Sequence, residues 1–246
     1  MKRALLRFYG DLNDFVDAAK RQADVEYEFV GRVAVKDAIE SLGVPHPEVD
    51  LLLVNGASAP FAARLEDGDR ISVFPRFRKM DTSSISLVAA PRPAEFRFVL
   101  DGHLGRLAGY LRMLGFDTLL PSDTSDTQLA RLSASQSRVL LTRDGALLKR
   151  SIVRDGYCVR ETAPRKQLVE VVRRFALAGL ARPFRRCIRC NALLEPRQKD
   201  EVIDRVPARS RLHYDEFWAC PACSRVYWKG SHYNRMKTIA ETVAEI

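Results

Sequence analysis

The pattern of apolar and polar positions changes character along the chain. Over the first third it is short and mixed. Arg3–Tyr9 alternates with period two, Glu26–Val30 does so more briefly, and each predicts a strand. Val35–Leu42 carries apolar residues at helical spacing and stops at Gly43, which suits the left-handed residue beyond a helix. Asp50–Val54 predicts a third strand and Asn55-Gly56 a tight turn. Asp67-Gly68-Asp69 then turns into a further strand at Arg70–Phe74. Strand, strand, helix, strand, strand is the order of a β-grasp fold. Asp81–Ala94, with Thr82, Ser83, Ser84, Ser86, Pro91 and Pro93, reads as a linker, within which Ile85–Ala90 is apolar enough to pack.

From Glu95 strands alternate with helices. Strands are expected at Phe96–Leu100, Phe116–Leu120, Arg138–Leu141 and Tyr157–Arg160. Helices are expected at Leu104–Leu114, Gln128–Gln136, Ala146–Val153 and Gln167–Leu177. This alternation implies an α/β unit with a parallel sheet and right-handed crossovers. The expected organisation is therefore a β-grasp domain over 1–80, a linker over 81–94, a parallel-sheet domain over 95–180, and a cysteine-bearing module with a C-terminal tail over 181–246.

Functional groups in such sheets gather beyond the carboxyl ends of the strands. Asp101, Asp126 and Asp144 follow three separate predicted strands. Three carboxylates brought to one place repel each other, and a hard cation preferring oxygen, Mg²⁺ or Mn²⁺, relieves that repulsion. Such an ion polarises a phosphodiester and activates water. Each acid also has a plainer reading. Asp101 and Asp144 precede glycines and suit turns, and Asp126 sits behind Ser125-x-x-Gln128, the pattern of a helix capping box.

Four of the five cysteines form two Cys-x-x-Cys pairs, Cys187/Cys190 and Cys220/Cys223. Two such pairs can present four thiolates tetrahedrally to zinc. Two disulfides, or a redox pair, are the rival readings. Arg7 interrupts the short apolar start and no small-residue cleavage site follows, so no secretory signal is expected. In a reducing cytoplasm the zinc reading is favoured, and Cys158 reads as a buried thiol.

Charge adds a candidate partner. The chain carries a formal +9, but residues 1–80 hold a net −1 and the remainder a net +10. A polyanion is expected on the second part. No apolar run approaches the roughly 20 residues of a bilayer-spanning helix, so no membrane partner is expected. Arg106, Arg112 and Arg143 lie near the acids in sequence, and Arg186 and Arg189 flank the first cysteine pair. These arginines are candidate phosphate contacts. Trp228 and His232 follow the second pair; Trp228 joins them as a candidate RNA contact, and His232 reads as an RNA contact, a proton donor or the cap of a turn. Trp218 and Tyr227 read instead as the small core of the module.

Several stretches resemble a known family. Leu6-Arg7-Phe8-Tyr9, Leu12-Asn13-Asp14-Phe15, the run from Val35 to His46 and Val54-Asn55-Gly56 resemble the ubiquitin-like domain of the MoaD/ThiS kind. The closer resemblance is to the version that precedes a Mut-seven C-terminal ribonuclease domain. Sulfur carriers of that fold end in a free Gly-Gly, whereas this chain runs through Val73-Phe74-Pro75-Arg76-Phe77-Arg78 and continues. Sulfur carriage is therefore not expected. Leu100-Asp101, Gly105-Arg106-Leu107-Ala108, the run from Leu111 to Thr118, Asp126-Thr127-Gln128-Leu129 and the run from Arg138 to Asp144 resemble the Mut-seven C-terminal domain itself. That resemblance implies a PIN-like ribonuclease fold with a fused zinc ribbon, and Asp101, Asp126 and Asp144 as ligands of the catalytic metal. Gly230-Ser231-His232 also matches the family. Gly109-Tyr110 departs from it, standing where Arg-Trp is expected. The function expected is a metal-dependent ribonuclease using structural Zn and catalytic Mg or Mn, with a protein partner for the β-grasp domain. The alternative is a non-catalytic adaptor that binds RNA or ribosomes.

Overall fold

A computed structural model describes residues 1–77, 80–90 and 93–245. Arg78 and Pro91, which enter the readings above, lie outside the described residues. In chain order the first elements are β1 (Lys2–Phe8), β2 (Asp24–Phe29), α1 (Val35–Ser41), β3 (Val49–Val54), β4 (Ala57–Ser58) and β5 (Arg70–Pro75). There follow β6 (Arg97–Leu100), α2 (Gly105–Met113), β7 (Asp117–Leu119), α3 (Asp126–Ser135), β8 (Val139–Thr142), α4 (Gly145–Leu148), β9 (Gly156–Cys158) and α5 (Pro164–Phe175). The last are β10 (Glu195–Arg197), α6 (Lys199–Val202), α7 (Ala208–His213), β11 (Phe217–Ala219), β12 (Val226–Trp228) and α8 (Ser231–Ala244). These elements divide into two compact units that interleave in sequence. One holds Met1–Glu95 with Thr124–Cys158, and the other holds Phe96–Asp123 with the chain from Val159 onward.

In the first unit a five-stranded sheet runs β2-β1-β5-β3-β4. β1 pairs parallel with β5 and antiparallel with β2. This is the β-grasp arrangement that the element order implied. Period-two alternation in β1 turns Ala4, Leu6 and Phe8 to one side, where they are buried. Val35, Ala38 and Ile39 of α1, at i, i+3 and i+4, are buried in the same core. The Asn55-Gly56 turn has φ +51° and +84°, as a two-residue hairpin turn of the primed kind requires. Asn55 also accepts the Arg70 amide through Oδ1 and donates to Asp69 through Nδ2.

The segment read as a linker is tied to this domain over its first part. Thr82 Oγ1 donates to Asp50 Oδ2 at 2.7 Å and Ser86 Oγ to the Asp50 carbonyl at 2.6 Å. Val88 packs against the β-grasp core. Serine and threonine here act as local hydrogen-bonding clips, which composition alone does not separate from a solvated linker.

The same unit includes α3, β8, α4 and β9, with β8 and β9 parallel. Three side chains join this segment to the β-grasp domain. His46 Nε2 lies 2.7 Å from the Val153 carbonyl, while its Nδ1 lies 2.6 Å from Glu40 Oε1. The buried Glu48 accepts the Cys158 amide at 2.6 Å. Lys149 Nζ donates to the Glu40 carbonyl at 2.8 Å. The structure departs here from the sequence reading. The helix expected over Ala146–Val153 is the single turn α4, and the chain beyond it presents the Val153 carbonyl to His46. Replacing His46 with alanine removes two mostly buried hydrogen bonds, so His46→Ala is expected to cost about 2 kcal/mol. A urea midpoint equal to wild type would refute the docking role of His46.

In the second unit β6 and β7 pair in parallel. Phe98 of β6 meets Phe116 and Phe175 edge-on, and Leu107 and Leu111 of α2 are buried with Val171 and Val172 of α5. Gly115, the expected helix stop, has φ +93°, and a Cβ there would lie 2.1 Å from the Arg182 carbonyl oxygen. The chain crosses the end of α2 at that point, with the Arg182 amide donating to the Leu114 carbonyl and the Phe184 amide to that of Met113. Gly109 is different: a Cβ there meets nothing within 4 Å. Gly109→Ala is therefore expected to stabilise α2 by about 1 kcal/mol, read as a rise of a few degrees in melting temperature. A lower melting temperature would contradict the open space seen around Gly109.

Beyond α5, β10, β11 and β12 form a small antiparallel sheet. Its core is Val202, Val206, Phe217 and Ala219, with Tyr214, Val226 and Trp228 packed against them. Here the sequence reading is corrected, since Trp228 rather than Trp218 or Tyr227 joins the core. Among the described residues no helix is long and apolar enough to cross a membrane.

Candidate metal centre and acidic site

The two cysteine pairs adopt matching turns. After the first, the Asn191 amide donates to the Cys187 carbonyl and the Cys187 amide to the Ala192 carbonyl. After the second, the Ser224 amide donates to the Cys220 carbonyl and the Cys220 amide to the Arg225 carbonyl. Asn191 and Ser224, each directly behind the second cysteine of its pair, have φ +76° and +57°. These paired turns bring the Sγ atoms of Cys187, Cys190, Cys220 and Cys223 within 4.8 Å of one another. Cys187 to Cys223 is 3.6 Å and Cys190 to Cys220 is 3.3 Å. A disulfide needs about 2.05 Å, and all four thiols are free. Four sulfurs around zinc at about 2.3 Å stand about 3.8 Å apart. The cluster can hold a zinc ion, and its donor set and edge lengths fit one.

The surroundings of the cluster favour thiolate at one corner. Burial pushes the Cys187 thiol up, but hydrogen bonds from Tyr227 and from the Cys190 and Arg189 amides outweigh it and bring it down to about 6. Cys190 moves the other way: burial, together with its sulfur neighbours, pushes it up to about 12. Four crowded thiols cannot all ionise without a cation among them. Tyr227 Oη lies 3.0 Å from Cys187 Sγ. Neither Tyr227 nor Asn191 was singled out from the sequence as supporting the site. A residue tolerant of left-handed φ directly after Cys-x-x-Cys was the available signal for Asn191.

Arg112 leaves the candidate RNA surface. It is 6% exposed, its Nε donates to the Thr118 carbonyl, and its Nη1 donates to the Ile188 and Arg189 carbonyls. Its guanidinium braces the first cysteine turn against α2 and β7. Asn191 braces it again, donating to Asp117 Oδ1 and accepting the Thr118 amide. Arg186 is half-buried and also engaged, through Nε with the Gly115 carbonyl and through Nη1 with the Asn191 carbonyl. Arg106, Arg143, Arg189 and His232 are exposed, and Trp228 is half-buried.

Each of the three acids begins a helical segment. Asp101 directly follows β6 and precedes a 3-10 turn over Gly102–Leu104, with no capping hydrogen bond from its side chain. Asp144 caps α4, its Oδ1 accepting the Ala146 amide at 2.8 Å. Asp126 is the first residue of α3, behind a complete Ser125/Gln128 capping box, with its carboxylate 3.9 Å from Arg150. Asp126 and Asp144 belong to the first unit and Asp101 to the second.

Comparison with known proteins follows this layout. The family model described as Mut7-C RNAse domain matches residues 96–240, and that described as Mut7-C ubiquitin matches residues 1–81. No curated protein matches. Two solved structures are similar over the first domain. The small archaeal modifier protein 1 of H. volcanii is 19% identical, covering 31% of this chain and 100% of its own, with a TM-score of 0.27. SAMP1 from Haloferax volcanii is 18% identical, covering 32% and 99%, with a TM-score of 0.26. With more than half its length matched by one model and its beginning by the other, the chain belongs to the Mut7-C RNAse domain family and carries a Mut7-C ubiquitin domain at its N-terminal end.

Proposed function

We propose that this protein is a metal-dependent ribonuclease that hydrolyses RNA phosphodiester bonds, with its zinc ribbon assisting RNA binding. The observation that carries the reading is the family match over 96–240 together with Asp101 and Asp144, which stand just beyond the carboxyl ends of β6 and β8. Asp101, Asp126 and Asp144 are the proposed ligands of Mg²⁺ or Mn²⁺, since carboxylate oxygens suit such ions. The bound ion supplies polarisation of the phosphodiester and activation of water. The chain's own contribution is to hold these acids at element ends and to offer exposed cations, Arg106, Arg143 and Arg189, to phosphate. His232 and Trp228 are further proposed contacts. The proposed compartment is the cytoplasm, where the four thiols stay reduced. A protein partner is proposed for the β-grasp domain, whose sheet ends at β2 with Val30 exposed beside it.

The test is a cleavage assay on single-stranded RNA, with Mg²⁺ or Mn²⁺ added and then withdrawn without chelator, so that zinc is retained. Cleavage should appear with the divalent ion and stop without it. RNA binding with no cleavage under either condition would favour the non-catalytic adaptor. That reading draws support from Asp126, whose place in the first turn of α3 and proximity to Arg150 account for it structurally.

A further inference from the structure

Two cavities, about 350 Å³ and about 780 Å³, adjoin on the ribbon and α8. Both lie in the size range of small-ligand sites, and they share a wall that includes Tyr227, Trp228 and Tyr233. Strand register explains the aromatic lining. Phe217 stands opposite Trp228 and Ala219 opposite Val226, and these four pack on the ribbon core. Trp218 and Tyr227 stand opposite each other on the alternate face and line the smaller cavity. Phe184 completes that lining, its ring centroid 4.5 Å from that of Tyr233. Phe184 holds φ +65°, a costly conformation for a bulky side chain.

The charge of the lining is one-sided. Arg185, Arg186 and Lys229 line the smaller cavity and Arg205 and Arg225 the larger, and neither lining contains a carboxylate. Lys229 lies 5.4 Å from the Trp218 ring centroid and also pairs with Glu216. Arg186 and Arg205 already donate to backbone carbonyls, so Arg185, Arg225 and Lys229 carry the charge argument; an apolar ligand alone would not call for them, and a purely ionic site would not call for stacked aromatic faces. The combination is the recognition chemistry of unpaired nucleic acid, where bases stack and phosphates meet cations.

We propose that the paired cavities form a base-stacking track for single-stranded RNA, with Trp218 and Tyr233 as the stacking faces and Trp228 as part of the wall the two cavities share. The choice of RNA rests on the ribonuclease reading; the stacking and charge do not depend on the acids.

The chain has two tryptophans, and both line this track, so their fluorescence reports its occupancy. The full-length, zinc-loaded protein is titrated without Mg²⁺, Mn²⁺ or chelator. The probes are an eight-nucleotide oligoadenylate, an abasic ribose-phosphate oligomer of equal length, a duplex of equal length and polyglutamate. Oligoadenylate should quench the tryptophans and bind at least about tenfold more tightly than the other three. Tyr233→Leu and Trp218→Leu, which keep apolar bulk but remove the ring, should each weaken oligoadenylate by about 5- to 150-fold. Neither should change binding of the abasic oligomer, and unchanged zinc content certifies a folded ribbon. Equal binding of abasic and base-bearing oligomers, binding of duplex or polyglutamate as tight as oligoadenylate, or variants that bind as wild type would each overturn the track. Cleavage is read separately. Base-dependent quenching in a chain that never cleaves removes the ribonuclease reading and leaves the track, while cleavage without base-dependent binding removes the track alone.

Discussion

Asp144→Asn is expected to lower RNA cleavage by about three orders of magnitude while leaving the fold intact. The substitution is isosteric, and asparagine caps helices as well as aspartate does. The Ala146 amide keeps its acceptor, so α4 should still start at the same place. What disappears is one negative charge facing the proposed cation. Loss of metal-activated water removes several kcal/mol of transition-state stabilisation. Asp101→Asn should behave alike, because asparagine keeps the size of the side chain and one acceptor oxygen while removing the charge just beyond β6. Asp126→Asn should cost less. Its position in the first turn of α3 contributes a helix-dipole interaction of about 0.3–1 kcal/mol, and Arg150 already lies near its carboxylate. The three variants and wild type must be purified identically, since a contaminating ribonuclease would produce equal rates in all four. Equal rates that also persist without divalent ions would remove the catalytic assignment altogether.

Cys220→Ser should empty the metal centre and unfold the ribbon. Among the described residues the ribbon's apolar cluster is small, built on Val202, Val206, Phe217 and Ala219, and would not hold a module of this kind alone. Structural zinc in small modules supplies about 10–16 kcal/mol of apparent binding free energy at neutral pH. Its loss should therefore decide whether the ribbon folds at all. Zinc content should fall from about one per chain to near zero, and the near-ultraviolet signal of Trp218 and Trp228 should collapse. The damage should spread, because Arg112 would lose the Ile188 and Arg189 carbonyls it donates to and remain as a poorly partnered, largely buried cation. A purified wild-type chain without zinc, or a serine variant with an unchanged tryptophan signal, would contradict the structural role.

Much of this was legible because it is local. Runs of apolar positions placed β1, β3, β5, β6 and β8 within a residue or two, and the Asn55-Gly56 and Gly115 signals found the positive φ they imply. The Ser125/Gln128 capping box was visible as a spacing and is complete. What was not legible depends on distant partners. The contact of the Val153 carbonyl with His46, 107 residues away, is one such case. Arg112 looked like a phosphate contact because charge is visible in a sequence, whereas the carbonyls that bind it, 76 and 77 residues away, are not. α8 had no side-chain cap at its start to announce it. Trp228 joins the core and Trp218 does not, because register, not residue type, decides which face of a short strand is buried.

The bonds from His46 and Glu48 to Val153 and Cys158 bear on how deletion experiments are read. A shortened protein lacking residues 1–80 keeps every cysteine and every proposed catalytic acid. It also strips partners from the strand that pairs with β8, two residues ahead of Asp144. Inactivity in such a fragment would locate no chemistry in the missing segment. It would record the removal of a scaffold, and mapping by truncation would assign to the β-grasp domain a role that belongs to its neighbours. Point substitutions on the intact chain are free of that confusion.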